Sequence, residues 1–188
     1  MNIPDKEYDF VIMGSGLGGL GCAYILAKNG FSVIVLEKNN QLGGNLQVFS
    51  RDKCIFDTGV HYIGSLDEGE NLNQFFKYFG LWGKLKMVRM DDDGYDIIRF
   101  SDGKEYKHAQ GYDRFIKTMV ADFPEEEEAI IEYCNCIKEV CSKFPLYNLR
   151  TGTYMEQGNI VEMDTRTYIE SITKNEKLRN VLAGTNLL

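Results

Sequence analysis

The residues best suited to chemistry lie near the N-terminus. Gly14, Gly16 and Gly19 form Gly-x-Gly-x-x-Gly, and Glu37 follows 23 residues after the first of them. At a strand-to-helix turn, glycines at this spacing do three separate jobs. The first permits the tight turn, the second lets backbone approach a pyrophosphate, and the third lets the helix pack on the strand. The phosphates then face the helix N-terminus, where free N–H groups and the helix dipole favour anions. A carboxylate at Glu37 accepts hydrogen bonds from both ribose hydroxyls of an adenosine and repels a 2′-phosphate, which argues against NADP. A Gly-rich turn with no ligand shares the bare motif, so the surrounding elements decide its meaning.

Those elements are present. Tyr8–Met13 is predicted to be a short apolar strand, Leu20–Asn29 a helix stopped by Gly30, and Phe31–Leu36 a second strand that is almost continuously apolar. Such a run fits a strand buried on both faces of a parallel sheet. Residues 8–37 therefore read as β-α-β with a right-handed crossover, the context the glycine motif requires.

Further along, short strands are predicted at Leu46–Phe49 and Cys54–Phe56, turning at Arg51-Asp52. A helix is predicted over Gly69–Phe79, with Leu72, Phe75, Phe76 and Phe79 on one face. Lys86–Met90, Asp96–Phe100 and Lys104–Lys107 are predicted as an antiparallel meander, with Asp93-Gly94 and Asp102-Gly103 at the joins. Helical texture resumes at Tyr112. Pro124 suits a first helical position, and Glu125–Glu128 lie where the helix dipole favours negative charge. Ile130, Cys134, Ile137, Cys141 and Phe144 make one apolar helical stripe. Residues 145–160 read as loop and Asp164–Val181 as one helix.

Composition narrows the class. The 188 residues are 44% hydrophobic and 26% charged, which excludes a largely disordered or collagen-like chain. The net charge of −7 (21 basic against 28 acidic residues) makes nucleic acid an unsuitable partner. No apolar run reaches the roughly 20 residues of a spanning helix, and the polar start Met1-Asn2-Ile3-Pro4 has no signal-peptide pattern. Five cysteines at irregular spacing point to a reducing compartment, so the cytoplasm is expected, with membrane association left open. Cys134 and Cys141 belong to the apolar stripe and Cys136 points elsewhere, so core cysteines are expected and no metal.

Two motifs carry a family resemblance. Glu37-x5-Gly43-Gly44 resembles the FAD enzymes of the glutathione-reductase-like superfamily, and most of all the branch holding phytoene desaturases, carotenoid isomerases and amine oxidases. Many members have Arg after the glycine pair; here it is Asn45, which brings no charge to the phosphates. Phe56-Asp-Thr-Gly-Val-His-Tyr-Ile-Gly64 then resembles the phytoene-desaturase relatives, and its second half the retinol saturase (all-trans-retinol 13,14-reductase) group. The resemblance spans about residues 8–115.

The resemblance implies a Rossmann-like α/β fold of the FAD/NAD(P)-binding kind, a parallel sheet with an antiparallel meander, followed by the start of an α+β substrate domain. Residues 1–90 would be the N-terminal part of the FAD-binding domain and 91–188 the beginning of the substrate region of a longer chain. It implies FAD, held by Gly14, Ser15, Gly16, Leu17, Gly18, Gly19, Glu37, Lys38, Gly43, Gly44, Asn45, Gly59, Val60 and His61. Asp57 would order the loop before Gly59, and His61 and Tyr62 would face flavin or substrate; His61 equally fits a half-buried loop histidine. No catalytic residue is assigned, since the cofactor can carry the chemistry. Phe75, Phe76, Phe79 and Trp82 fit a core, or one wall of a substrate tunnel. The implied activity is oxidoreduction at C–C bonds of an isoprenoid-like lipid, with NAD(P)H or another electron partner and peripheral contact with a membrane. The 188 residues alone are expected to be inactive. An amine-oxidase-like enzyme and a non-catalytic dinucleotide-binding fragment remain as alternatives.

Overall fold

The structure, a computed structural model, describes residues 6–60, 62–153 and 163–184. The chain divides into two compact units, one up to Lys84 and one from Leu85 onward.

In the first unit, β1 (Phe10–Met13) runs parallel to β2 (Val33–Leu36), with Phe10 opposite Val33 and Met13 opposite Leu36. Side chains pin this register just before the strands. The Ser32 N–H and hydroxyl donate to Asp9 Oδ2 at 2.8 and 2.6 Å, and the Asp9 N–H donates to Ser32 Oγ at 3.0 Å. The helix between them, α1 (Leu17–Lys28), starts three residues before its predicted position and so takes in Gly18 and Gly19. Propensity opposes two glycines in a first turn by about 1 kcal/mol each; packing on the strand overrides it, as the site geometry below explains. The helix stops at Gly30, which has φ +91°.

The expectation that β2 is buried on both faces is not met within this chain. Val33, Ile34 and Val35 are half-buried, and Leu36, Val11 and Met13 are exposed. The reason is topological: among the described residues the parallel sheet has two strands, with α1 packed against them.

β3 (Val48–Arg51) and β4 (Cys54–Asp57) form an antiparallel hairpin with Arg51 opposite Cys54. Its turn falls at Asp52-Lys53, one residue later than predicted. Both residues have positive φ, +50° and +64°, as a two-residue hairpin turn needs. Phe49 and Phe56 stack across the strands at 5.2 Å. In α2 (Asn71–Tyr78) the buried residue is Asn73, and the aromatic stripe is half-buried to exposed. Asn73 replaces the missing apolar anchor by bonding the preceding loop: its N–H reaches Ser65 O at 3.0 Å and its Nδ2 reaches Leu66 O at 3.0 Å. Tyr24 and Lys28 of α1 hold the end of α2, both donating to the Tyr78 carbonyl.

The second unit contains the apolar core. β5 (Asp96–Arg99) pairs antiparallel with β6 (Glu105–His108), and α3 (Tyr112–Asp122), α4 (Glu127–Lys143), α5 (Thr165–Ile172) and α6 (Glu176–Ala183) follow. A 3-10 turn at Pro124–Glu126 links α3 to α4 with the proline in its first position, as the sequence implies. Tyr106, Met119, Ile130, Cys134 and Leu178 are among the most deeply buried side chains, and Tyr106 stacks on Phe123 at 5.3 Å. The α4 stripe is buried at Ile130 and Cys134 and only half-buried from Ile137 onward.

Two predicted elements differ in this unit. Residues 86–90 form no strand, so the meander reduces to the β5–β6 hairpin. Val88 is exposed there, and the Met90 carbonyl accepts from the Gln110 side chain at 3.0 Å, where a strand would have used it in a ladder. The single helix predicted over 164–181 is two helices. Thr173 breaks it in an extended conformation, its hydroxyl donating to Glu126 Oε2 at 2.7 Å and accepting the Asn175 N–H at 3.0 Å. Asn175 then caps α6 by accepting from the Leu178 N–H. Among the described residues no helix is long and apolar enough to cross a membrane.

Candidate functional site

The site is built where β1 and β2 end. Gly14 turns the chain out of β1 with φ +94°, a conformation that favours glycine, and its N–H donates to Leu36 O at 2.7 Å. Gly16 is the N-cap of α1, and no side chain caps that end. The first-turn N–H groups therefore keep their affinity for an anion. A Cβ on Gly16 would meet nothing within 4 Å, so its absence leaves open space over the helix end. A Cβ on Gly19 would lie 2.1 Å from Gly14 O, an impossible contact with backbone. The three glycines thus answer three constraints: a positive φ, open space and close packing.

Ser15 is fully buried beneath this loop. Its N–H and hydroxyl both donate to Glu37 Oε2, at 2.9 and 2.7 Å, while the Asn39 N–H donates to Glu37 Oε1 at 2.9 Å. These bonds, the Ser15 hydroxyl foremost, hold the Glu37 carboxyl down to about 2, so it is an anion at neutral pH. A carboxylate has roughly four acceptor positions. Oε2 takes the two Ser15 bonds, and Oε1 takes the Asn39 N–H.

A second glycine loop lies on the first. The Gly43 N–H donates to Ser15 O at 3.1 Å and to Ser15 Oγ at 3.2 Å. Gly43 and Gly44 have φ of +110° and +57°, and a Cβ on Gly44 would sit 3.0 Å from Gly16 Cα. A third loop approaches through Gly59, where a Cβ would stand 3.2 Å from Asn45 O. That loop is tied by the Thr58 N–H donating to Gln47 O at 3.1 Å, a backbone bond in which the Asp57 side chain takes no part.

The residues singled out from sequence sort accordingly. Gly14 to Gly19, Glu37, Gly43, Gly44, Asn45 and Gly59 come together in three adjoining loops. Leu17, Lys38, Val60 and Tyr62 are exposed at their margins. His61 lies outside the described residues. The role of Ser15 in bonding Glu37 is the feature that spacing did not reveal. Its only signal is a small hydroxyl residue between two motif glycines, upstream of an acid. The assembled groups are backbone donors at a helix end, an open glycine surface and an ionised carboxylate. Chemically they can hold a diphosphate beside a hydroxyl-bearing sugar.

Comparison with known proteins agrees with this layout. The family model for an NAD(P)-binding Rossmann-like domain matches residues 12–79. All-trans-retinol 13,14-reductase of Macaca fascicularis is 38% identical over 141 residues, covering 73% of this chain and 23% of that protein. Prolycopene isomerase 2, chloroplastic, of an Oncidium hybrid cultivar is 33% identical over 130 residues, covering 69% of this chain and 22% of that protein. Among solved structures, a putrescine oxidase superposes with a TM-score of 0.55 at 20% identity, covering 94% of this chain and 36% of that one; at that identity the likeness is one of fold. The chain spans about a quarter of the length of the curated relatives it matches. The Rossmann-like α/β fold, with its glycine loop and acidic strand end, and the sequence matches across most of these residues assign the chain to the family of the all-trans-retinol 13,14-reductases and prolycopene isomerases.

Proposed function

We propose that this chain holds FAD for an oxidoreductase acting on C–C double or single bonds of an isoprenoid-like lipid, a retinoid or carotenoid. The observation that carries the cofactor choice is the contact between the two glycine loops. After Glu37 a plain NAD-binding domain continues with another β-α repeat; here Gly43 and Gly44 close onto Ser15 and Gly16. In this reading Gly14 to Gly19, with Ser15, Leu17 and Gly18 among them, border the pyrophosphate at the α1 N-terminus. Glu37 takes the adenosine ribose and repels a 2′-phosphate. Lys38, Gly43, Gly44 and Asn45 form the second wall, and Gly59, Val60, His61 and Tyr62 lie toward flavin or substrate. Bound flavin supplies the two-electron chemistry, and the residues described here bind and orient it.

The substrate class rests on the relatives' names, since retinol and prolycopene are both isoprenoid polyenes. Such a substrate partitions into lipid, so peripheral contact with a membrane from the cytoplasmic side belongs to the proposal, as does NAD(P)H or another electron partner. The amine-oxidase alternative has only a likeness of fold behind it.

Denaturing the purified full-length protein and identifying the released ligand by HPLC tests the cofactor. FAD is expected, and NAD without flavin would sink the idea. With flavin bound and chemically reduced under anaerobic conditions, recovery of the yellow colour on adding a polyene supports the lipid substrate. Bleaching of oxidised flavin by putrescine would overturn it in favour of an amine.

A further inference from the structure

Ser15 is tied more heavily than a loop serine between two glycines needs to be. Its hydroxyl donates once, to Glu37 Oε2 at 2.7 Å, and accepts once, from the Gly43 N–H at 3.2 Å. Those partners are 22 and 28 residues away in sequence and belong to two different loops. The residue is fully buried, so water cannot replace either bond when the hydroxyl is removed. We infer that Ser15 is a positioning residue, a latch that fixes the Glu37 carboxylate and the Gly43–Gly44 loop in one geometry, so that ribose recognition and the second wall of the phosphate site form together. The inference rests on the dinucleotide reading given above.

The geometry explains why a side chain is needed for this. Glu37 is half-buried at the end of β2, and nothing in the strand itself orients its carboxylate. Two bonds from Ser15 turn Oε2 inward, which leaves Oε1, bonded by the Asn39 N–H, as the outer oxygen of the pair. The neighbours acting on this carboxylate are hydrogen-bond donors: the Ser15 hydroxyl and N–H, and the backbone N–H groups of Asn39 and Lys38. Removing the Ser15 hydroxyl therefore removes the largest single influence on Glu37 and, in the same step, one of the two acceptors of the Gly43 N–H.

The test uses the full chain as wild type, Ser15→Ala and Glu37→Gln, with ADP as the probe. Carbon-detected NMR follows the Glu37 carboxyl through an acid titration, and hydrogen exchange follows the Gly43 amide. In Ser15→Ala the Glu37 titration is expected to move up toward the ordinary carboxylate range, Gly43 to exchange about tenfold faster, and ADP to bind about tenfold more weakly. A residue acting only through packing would leave the Glu37 titration in place, and that result overturns the latch. So does equal ADP affinity in wild type and Ser15→Ala. Should Ser15→Ala fail to fold, Glu37→Gln keeps the side-chain shape while weakening the acceptor of the hydroxyl. Faster Gly43 exchange there supports the latch, and unchanged exchange overturns it. If the NMR and exchange effects appear but wild type binds no ADP, the dinucleotide reading fails and, with it, the ligand-positioning role assigned to Ser15.

Discussion

Glu37 shows how little of a side chain's role lies in its own chemistry. Its carboxyl is held down to about 2, against an ordinary 4.5, by donors on Ser15 and Asn39. A group whose value is depressed on folding contributes stability that is complete above the unfolded value and lost as pH falls through the folded one. The loop contacts that depend on an ionised Glu37 should therefore persist at 4.5 and disappear on acidification toward about 2. Protection of the Gly43 amide, followed by hydrogen exchange across that range, is expected to be flat above it and to fall within it. Loss of protection already near neutrality would mean that the Glu37 charge does not hold this loop.

At the scale of elements, the strand-to-helix turn separates glycines that a motif treats alike. Gly19→Ala drives a Cβ to 2.1 Å from the Gly14 carbonyl oxygen, a backbone atom that cannot swing away. Overpacking of this kind costs about 1–3 kcal/mol and sometimes more, so the variant should melt well below wild type and lose dinucleotide binding. Gly18→Ala is the control: a Cβ there meets nothing within 4 Å, and helix propensity favours it by up to about 1 kcal/mol. Urea denaturation of the two variants should bracket wild type. Gly16→Val probes the same turn for function, because a Cβ at Gly16 is unopposed by protein but would occupy the approach that the proposed pyrophosphate needs. Its circular dichroism spectrum should match wild type while ADP binding is lost; retained binding would move the phosphates elsewhere. Elsewhere, the Thr173 break between α5 and α6 comes from a buried hydroxyl bonded to Glu126, a contact 47 residues distant. Residues 173–177 contain neither glycine nor proline, so no local breaker marks the place, which is why local pattern reads one helix where there are two.

Across the whole molecule, the two units are stabilised in different ways. The buried apolar side chains among the described residues lie in the second unit, from Tyr106 onward, whereas the buried side chains of the first are the polar Ser15 and Asn73. Ile130 is fully buried in the second unit's core, so Ile130→Ala is expected to cost about 2–5 kcal/mol, read from the denaturant midpoint. A smaller loss would indicate that the core around α4 collapses to fill the gap. In the proposed reading, the first unit supplies contacts for the half of a dinucleotide that ADP and FAD share. The 188-residue chain should accordingly bind the two with affinities within about tenfold of each other. Calorimetric titration giving FAD a much larger advantage would mean that these residues also grip the flavin ring.

The β-α-β unit, the turn at Gly14, the close packing at Gly19 and the acid at the end of β2 were legible in the sequence, because strand period, glycine spacing and strand-end chemistry are local properties. The hairpin at residues 48–57 was legible to within a residue; Asp52-Lys53 adopts positive φ without the glycine that would have marked the turn. The absence of a strand at 86–90 and the break at Thr173 were not legible, since each depends on a partner distant in sequence: Gln110 for the Met90 carbonyl, Glu126 for the Thr173 hydroxyl. The same holds at the site. Spacing identifies Glu37 as an acceptor, but its orientation depends on a buried serine 22 residues upstream and on a loop that folds back over it. Sequence determined which groups are available; only the tertiary structure, by closing bonds between loops that sequence keeps apart, decided which way the carboxylate faces.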